Sequence, residues 1–460
     1  MNVRLPGVLG RLGVLSCLVF SGFGDAAAQT LEDALTFAYL NNPTLLGQRA
    51  NVRATDEQMP QALSKWRPSI EITGSAGVKS VKNTTSTDRG EHREPKSIGL
   101  TVTQSLYRGG RTFAAVREAD NTVRAARATL LKTEQDVLLK AAQAFFDVFR
   151  DEAVLKLTIN NEQVLTRHLE ATRDRFEVGE ITRTDVHQAE ARLAGAVAER
   201  IAAEGTLEAS RATYRNIVGM PAPKTLMAAE LPSNLPKSAD EVVKAAAVKN
   251  PSVISAEFAR KALDDNVEEV RGELLPSLSV STGVSRKIQS SGEDGRIDSA
   301  DFTLNLTVPL YQQGEVFSRL RESKHVAAKQ LQVIDQARRD AVEEAAKAWE
   351  SLLTARARVA SFKTQIEANV VALEGVRREA QVGSRTVLDV LDAEQESLDS
   401  RVSHVSAQRD ELLAIFKLKA AMGQLTSRDL KLPVAAYDPM DNYQKVRDQW
   451  FGADVPDWTK

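Results

Sequence analysis

The chain has 460 residues, of which 27% are charged and only 5% are aromatic, and its formal net charge is −2. A charge balance this close to neutral gives no reason to expect nucleic acid as a partner. The single cysteine, Cys17, lies near the N-terminus, so burial and assembly, rather than disulfides, are expected to hold the folded protein together.

The first 28 residues have the pattern of a secretory signal. Arg4 and Arg11 are followed by a short apolar run, LGVLSCLVFSGF, and then by the small-residue sequence DAAAQT. We therefore predict a signal peptide at residues 1–28 and a mature chain that starts near Gln29. An N-terminal membrane anchor is the alternative, and VLSC around Cys17 is a poor match to a lipid-attachment sequence. Beyond this segment no apolar run reaches the ~18 residues of a spanning helix, so a membrane-spanning part would have to be built from β-strands.

The rest of the chain reads as two copies of one domain-sized unit. We place the first unit at residues 29–219, the second at 241–425, a proline-rich connector at 220–240 and a C-terminal tail at 426–460. Four motifs recur in the same order, namely Asn42-Pro43 and Asn250-Pro251, Pro68-Ser69 and Pro276-Ser277, SLYRGG and PLYQQG, and FEVGEITRTD and QVGSRTVLD. A repeat of this length indicates a duplicated unit rather than a solenoid.

Each unit contains two segments in which apolar residues alternate with polar residues, mainly Ser, Thr and Asn. We predict strands at residues 68–80, 97–108, 276–287 and 301–311. One apolar face and one hydroxyl-rich face is typical of a membrane barrel strand with lipid outside and water inside. Four strands of a soluble sheet would show the same alternation. The polar loops at 80–96 and 287–300 are predicted to face the cell exterior.

Four strands cannot close a membrane barrel, because open edges would leave backbone N–H and C=O groups unpaired in lipid. Single-chain bacterial barrels need at least ~8 strands. If these strands lie in a membrane, they must be shared among copies of the chain. Two copies would enclose a lumen filled by side chains, and three would enclose a wider lumen that could conduct. The strand count thus predicts an oligomer without fixing the number of copies.

Each unit also has a long segment without proline, from Lys96 to Met220 and from Leu310 to Leu432. Both are rich in Ala, Leu, Glu, Arg and Gln, which favour helix, and their apolar residues recur at helical spacing. We predict two long antiparallel helices per unit, which meet at Val178-Gly179 and at Val382-Gly383. A helix from Arg111 to the first of these turns would be about 100 Å long. Because a bilayer's hydrocarbon core is only ~30 Å thick, the helices are predicted to stand in water as coiled coils.

Asp389 and Asp392 follow the second Val-Gly pair and lie three residues apart, which places them on one helix face. Paired carboxylates fit acid–base catalysis, a metal site or a solvated helix face. The five histidines are scattered without the spacing of a motif such as HExxH, and the sequence has no Gly-rich phosphate loop or nucleophile elbow. We therefore predict that the protein is not an enzyme and needs no cofactor or metal. Around a rotational axis the aspartates would form stacked carboxylate rings, which select cations in pores.

In this order and repeated twice, the Asn-Pro, Pro-Ser, Leu-Tyr-x-x-Gly and Val-Gly motifs resemble those of the TolC family of bacterial outer-membrane efflux and secretion channels. The resemblance covers essentially the whole mature chain. It implies an α+β homotrimer in the outer membrane, in which four transmembrane β-strands per chain build a shared β-barrel and the long antiparallel helices form a periplasmic α-barrel. The implied function is export of protein or small-molecule cargo. The implied partners are a periplasmic adaptor protein, an inner-membrane ABC or proton-driven exporter, and outer-membrane lipid.

The resemblance also implies roles for individual residues. Asp389 and Asp392 match the family's aspartate constriction. Arg385 matches the arginine that links neighbouring hairpins and holds the closed mouth shut, and Thr184 and Asp185 match its partners on the first hairpin. These five residues form the predicted gate.

Three further features of the sequence qualify this interpretation. Val178-Gly179 and Val382-Gly383 match the hairpin tips that meet the periplasmic adaptor, and they are also predicted as simple helix-breaking turns. Ala380 stands where the family's best-studied pattern has an aromatic gate residue, which implies a weaker closed state. The tail sequence LPVAAYDPMDNYQKVRDQWFG resembles the branch that works in type I protein secretion.

Two other classes of protein compete with a channel. A structural periplasmic coiled coil or adhesin would not need four amphipathic strands and a paired-aspartate turn. A periplasmic adaptor protein would have lipoyl-like β segments between its helices, and the sequence has no such segments. The channel interpretation therefore accounts for more of the sequence than either alternative.

Overall fold

The computed structural model describes residues 30–81, 91–223, 235–290 and 295–453, so the predicted signal peptide and Cys17 lie outside the described residues. None of the helices in these ranges has an apolar stretch long enough to cross a membrane. In chain order, the elements are α1 (Leu31–Asn41), α2 (Pro43–Asp56), α3 (Gln58–Ser64), β1 (Ser69–Ala76), β2 (Lys79–Val81), β3 (Glu91–Arg93), β4 (Lys96–Arg108), α4 (Arg111–Glu177), α5 (Arg183–Val218), α6 (Ala239–Lys249), α7 (Pro251–Arg271), β5 (Ser277–Ile288), β6 (Arg296–Thr307), α8 (Glu315–Gln381), α9 (Val387–Ala421) and α10 (Pro439–Val446).

Four strands form one antiparallel sheet in the order β1-β4-β5-β6. Directly paired residues project from the same side of a sheet, so the register defines two faces. One face carries rows of apolar residues, such as Ile72, Leu100, Val284 and Ala300, and the opposite face carries small and polar rows, such as Thr73, Gly99, Ser285 and Ser299. The predicted two-faced character of the strands is thus present in the observed sheet.

The strand limits differ from the prediction in two places. The last strand was predicted at residues 301–311, but β6 runs from Arg296 to Thr307. Pro309 has no N–H to donate to a neighbouring strand. The alternation of apolar residues continues past Pro309 in the sequence, but the hydrogen-bonded strand ends at Thr307. The first strand was predicted at 68–80, but β1 ends at Ala76, where the N–H of Gly77 donates to the carbonyl of Pro95 at 3.0 Å.

Both segments predicted as exterior loops contain residues that form strands. Within 80–96, residues in β2 and β3 pair as a separate small hairpin. Within 287–300, the last five residues belong to β6. Residues 82–90 and 291–294 of these loops lie outside the described residues, so the orientation of the loops stays a prediction.

Helices α4 and α8 have 67 residues each, which corresponds to about 100 Å at 1.5 Å per residue. Their partners α5 and α9 are only 36 and 35 residues long, so each hairpin pairs over about half of its long helix. Along the other half, nearer the sheet, α4 packs against α2, α3 and α7. The prediction of two long antiparallel helices therefore holds for the half of each unit that ends at the turn.

The lateral order of the helices repeats the order of the strands. α3 leads into β1, β4 leads into α4, α7 leads into β5, and β6 leads into α8. The helices pack as α3 on α4, α4 on α7, and α7 on α8, which matches β1-β4-β5-β6. The sheet thus continues directly into a layer of helices, and the two hairpin turns lie at the end of the molecule farthest from the strands.

The largest apolar core lies midway along the long helices, where α1 packs on α4 and α5. Its largest fully buried side chains include Tyr39, Phe145, Phe146, Tyr214 and Phe416. Each such side chain contributes roughly 1.5–3 kcal/mol when it is fully buried. A second cluster joins α6 to α8 and α9, so the short helices brace the hairpins at mid-height.

The repeated Asn-Pro motif begins one helix and ties it to another. The side chain of Asn42 accepts the N–H of Thr44 at 2.9 Å, and its Nδ2 donates to the carbonyl of Ile217 at 2.9 Å. Asn250 makes the equivalent bonds to Ser252 and to Ala421, at 2.9 and 3.4 Å. Because both asparagines are buried, these bonds satisfy backbone groups at helix ends that water cannot reach.

Candidate gate at the helical hairpin turns

Both hairpins turn through the same backbone geometry. Gly179 and Gly383 have φ of +80° and +81°, a left-handed conformation that glycine adopts without a Cβ clash. In the first turn the N–H of Glu180 donates to the carbonyl of Arg175 at 2.9 Å, and in the second the N–H of Ser384 donates to that of Glu379 at 3.0 Å. These bonds close the helix C-termini in the manner of a Schellman motif, which is why the Val-Gly pairs end α4 and α8.

The helix that leaves each turn begins with a capping box. Asp185 accepts bonds from the N–H and the hydroxyl of Thr182 at 2.9 and 2.7 Å. Asp389 accepts the same two bonds from Thr386 at 2.9 and 2.8 Å. Each threonine in return accepts the N–H of its aspartate. Two of the five predicted gate residues are therefore helix-capping groups that occupy equivalent positions in the repeat.

The carboxyl of Asp389 is stabilised in its charged form within one chain. The backbone N–H of Thr386, then its hydroxyl, and then the charge of Arg385 lower the pKa of Asp389 below its usual value. These bonds within one hairpin are sufficient to explain why an aspartate occupies position 389, whether or not the residue faces a pore. A contribution of Asp389 to a carboxylate ring would have to come in addition to this capping role.

Asp392 is not part of the cap and instead forms an ion pair with the first hairpin. Arg192 on α5 donates from Nη2 to Oδ1 of Asp392 on α9. The pair borders a cavity of about 450 Å³ that is also lined by Phe362 and Asp399. Of the two aspartates in the predicted constriction, Asp392 is thus the one that connects the two hairpins of one chain.

The three predicted gate-link residues do not come together in one chain. Arg385 donates from Nε to Glu379 of its own hairpin at 2.9 Å. Asp185 is engaged in its capping box, and Thr184 is exposed on the first turn of α5. The expected bond between neighbouring hairpins would have to form between copies of the chain, so the role of these residues stays a prediction.

The tips themselves present apolar side chains to solvent. Val178 is 72% exposed and Val382 is 80% exposed. Ala380, where an aromatic gate residue was expected from the family pattern, is half-buried beside the second tip. An exposed valine next to a rigid turn is available for contact with a protein partner.

Two ion bridges, one across each hairpin, were not predicted from the sequence. Arg173 donates to Glu190 at 2.8 Å in the first hairpin, and Arg377 donates to Glu394 in the second. The two bridges are equivalent by the repeat, so matching charged residues across the two units would have found them. His168 lies 3.6 Å from Glu394 and joins only the second bridge.

Burial alone would raise the pKa of Glu394, but bonds from His168 and Arg377 outweigh burial and lower it. Within the described ranges, no group of three or more His, Cys, Asp or Glu side chains is placed to hold a metal ion. The charges near the turns therefore form ion pairs and helix caps.

Two-faced strands that run directly into a long helical layer, with charged helical hairpin turns at its far end, are typical of a channel protein. The family model described as "Outer membrane efflux protein" matches residues 35–220 and 242–424, two segments that nearly coincide with the two predicted units. The chain belongs to this family.

Relatives support the same conclusion. The chain is 34% identical over 445 residues to the outer membrane efflux protein BepC of Brucella suis biovar 1 (strain 1330), covering 96% of both chains. It is 26% identical to the outer membrane protein TolC of Vibrio cholerae serotype O1 (strain ATCC 39315 / El Tor Inaba N16961), covering 92% of this chain and 95% of that one. The Campylobacter jejuni CmeC outer membrane channel has the same fold, with a TM-score of 0.78, 14% identity and coverage of 97% and 98%.

The predicted family, the α+β fold class of trimeric channels, the outer-membrane location and the channel function are thereby confirmed. The family is one of channel proteins rather than enzymes. The roles of individual gate residues and the identity of the partners stay predictions.

Proposed function

We propose that three copies of this chain form one continuous duct that carries cargo from an inner-membrane transporter, through a periplasmic adaptor, to the cell exterior. The observation that carries this proposal is the shared lateral order of strands and helices. Because each strand continues into its own helix, closing the sheet into a barrel also closes the helices into a tunnel with the same lumen.

The open edges of the sheet favour an assembly of three copies of the chain. β1 and β6 are the outer strands of the sheet, and unpaired edges are costly in lipid. Three copies of this four-stranded sheet supply twelve strands, within the range of known outer-membrane barrels, which starts at ~8. Eight strands would leave a lumen filled by side chains, which favours the trimer for a protein that exports cargo.

The hairpin ends serve as the periplasmic gate in this proposal. Asp389 and Asp392 of three chains place six carboxylates around the axis, where they attract cations and narrow the mouth. Arg385 binds Thr184 and Asp185 of a neighbouring copy in the closed state, in place of its bond to Glu379. The apolar tips at Val178-Gly179 and Val382-Gly383 receive the adaptor.

The cargo is either protein or small molecules. BepC is named for efflux, whereas the C-terminal tail resembles the type I secretion branch. A passive duct takes its specificity from the transporter that feeds it, so either cargo fits the same lumen. Deleting the gene and measuring both drug susceptibility and secreted protein would decide between the two.

Conductance in planar bilayers tests the gate. The purified wild-type oligomer should conduct cations in preference to anions, and a trivalent cation on the periplasmic side should block it. The Asp389→Ala/Asp392→Ala variant should lose the block and part of the cation preference, because the carboxylates that bind the blocker are gone. Equal block of both proteins would contradict the gate.

A matched control separates charge from helix capping. Thr386→Ala removes the capping hydroxyl of the second hairpin but keeps both aspartates, so it should remain blocked like the wild type. Loss of block in this control would mean that the shape of the turn, rather than its charge, determines the response.

A further inference from the structure

Along β5, the apolar face of the sheet is shorter than the apolar band of a membrane barrel, although Ile98 on β4 extends this face by one row. Along β5 the apolar rows run from Leu278 up to Val284, and the next row contains the ion pair of Arg286 with Asp298, at 2.7 Å. The six residue-to-residue steps from Leu278 to Val284 span roughly 20 Å along a strand, or about 15 Å along the membrane normal at a typical tilt near 40°. The apolar band of such barrels is ~25 Å tall, so about 10 Å of apolar surface is missing.

On β5 and β6, we place the missing surface on the periplasmic side. Above the ion pair, the next row on the same face joins Ile288 to Arg296 and Lys96, and these charges belong in water. Below Leu278 the strand ends at Ser277. The lipid-facing band therefore extends past the strand ends, to the junctions where strands become helices.

At the second unit's junction, apolar side chains occupy this level directly. Leu275 precedes Pro276, and Leu310 and Tyr311 follow β6; all three are exposed, as are Leu106 and Tyr107, which match Leu310 and Tyr311 in the first unit. At the first unit's junction the position equivalent to Leu275 is Arg67, which precedes Pro68. A guanidinium thus stands where the second unit presents a leucine.

The C-terminal segment covers this charged position. Arg67 donates to the carbonyl of Gln449 at 2.6 Å, and its guanidinium lies 4.7 Å from the centre of the Trp450 ring. Helix α10, which directly precedes this segment, is fixed to α4, because the hydroxyl of Tyr443 donates to Asp120 at 3.2 Å. Trp450 is 58% exposed and Phe451 is 87% exposed, so two aromatic side chains are accessible at the level where the sheet begins, beside a cavity that they line together with Ala50 and Arg53 of α2.

We propose that Trp450 and Phe451 form an interfacial anchor that inserts between the headgroups and the acyl chains of the outer membrane's periplasmic leaflet. Tryptophan and arginine side chains favour this boundary, because each has an apolar body and a polar group that stays hydrated. The anchor supplies the apolar surface that Arg67 lacks and fixes the height of the first junction against the bilayer. It depends on the outer-membrane location of the chain and is independent of the gate.

Fluorescence quenching by lipid tests the anchor in the intact oligomer. The chain has four tryptophans, Trp66, Trp349, Trp450 and Trp458, so replacing the other three with Phe leaves Trp450 as the only reporter. The protein is reconstituted into phosphatidylcholine–phosphatidylglycerol vesicles, with or without acyl chains brominated near the headgroup. Bromine should at least halve the emission of Trp450.

The reference is the matched variant that keeps only Trp349, which packs at mid-height of α8 and should be unaffected by bromine. Both variants are first compared with the wild type by size-exclusion chromatography, which checks that the oligomer is intact. In the single-Trp450 variant, Arg67→Ala should weaken quenching, because the ring loses the guanidinium that orients it.

Two outcomes would overturn the proposal. Quenching of Trp450 by iodide but not by brominated lipid would place the side chain in water. Quenching by neither would place it in a contact between copies of the chain. Neither outcome depends on conductance or export, so the test is separate from that of the gate.

Discussion

The two helical hairpins end in the same backbone turn but carry different charges. Both have a left-handed glycine, a Thr–Asp capping box and an Arg–Glu bridge. The second alone has Asp392, where the first has Gln188, and Arg385, where the first has Ile181. The shared glycine and capping box end one helix and start the next, which any such hairpin requires. The differences mark the positions where a gate can be specific to the second hairpin.

The comparison also ranks the two aspartates of the predicted constriction. Asp389 has an equivalent, Asp185, that makes the same cap with nearly the same distances. Asp392 has no acidic equivalent and bonds across to Arg192. We therefore expect Asp392 to dominate the binding of cations, with Asp389 contributing chiefly through helix capping.

The largest difference between the two hairpins is expected at this position, where Asp392 can be changed to the glutamine of the first hairpin. Asp392→Gln should raise the dissociation constant of a blocking trivalent cation at least about tenfold, or ~1.4 kcal/mol, because a trimer loses three carboxylates. Gln188→Ala is the matched change in the first hairpin and should leave the block unchanged. Titration of single-channel block measures both, and equal shifts would show that the comparison does not locate the gate.

Arg385 provides the next test. Arg385→Ala should raise single-channel conductance several-fold, because it removes the bonds to the neighbouring hairpin that we propose for the closed state. The equivalent change in the first hairpin, Ile181→Ala, should have little effect. Unchanged conductance in Arg385→Ala would mean that its bond to Glu379 within the hairpin is its whole role.

The two ion bridges should differ in their contribution to stability. The side chain of Glu394 is 11% exposed, whereas that of Glu190 is 39% exposed. Glu394→Gln should destabilise the folded protein by roughly 2 kcal/mol, because it leaves Arg377 without its charged acceptor. Glu190→Gln should change stability little. Thermal unfolding at matched protein concentration measures both, since oligomers unfold at concentration-dependent temperatures.

The same pair predicts a pH dependence. Because the pKa of Glu394 is lowered in the folded protein, its contribution is fully present above the ordinary glutamate value of 4.5 and is lost as the pH falls through the lowered value. Wild-type stability should therefore fall more steeply than that of Glu394→Gln below pH 4.5. Parallel curves for the two proteins would exclude this contribution.

The smallest difference between the hairpins is expected where their turns have the same geometry. Gly179→Ala and Gly383→Ala should each cost about 1–2 kcal/mol, because an L-residue is strained in the left-handed conformation. The turns have the same geometry, so the two losses in unfolding temperature should be equal. A clear difference between them would show that the turns are held by different contacts in the assembled channel.

Much of this molecule follows from local sequence. Alternation with a period of two defined the two-faced strands, and the absence of proline together with the Val-Gly pairs defined the long helices and their turns. Glycine, proline and capping residues act on backbone within a few positions, so their effects can be read from neighbours along the chain. The same locality explains the error in β6, since the pattern continued past Pro309 while the hydrogen-bonded ladder did not.

Only the tertiary structure decided which distant groups meet. Arg192 and Asp392 are 200 positions apart, and Arg67 and Gln449 are 382 apart. Nothing in either local sequence specifies the partner, because a charge on a helix surface can pair with any opposite charge that the packing brings near. The sequence by itself determined the strands, the helices, the turns and the duplicated plan. The tertiary structure determined that α5 and α9 cover only half of their long partners and that Asp392 bridges two hairpins while Asp389 is a helix cap. It also determined that the C-terminal aromatic residues lie beside the sheet. Each of these features depends on packing between segments far apart in the chain.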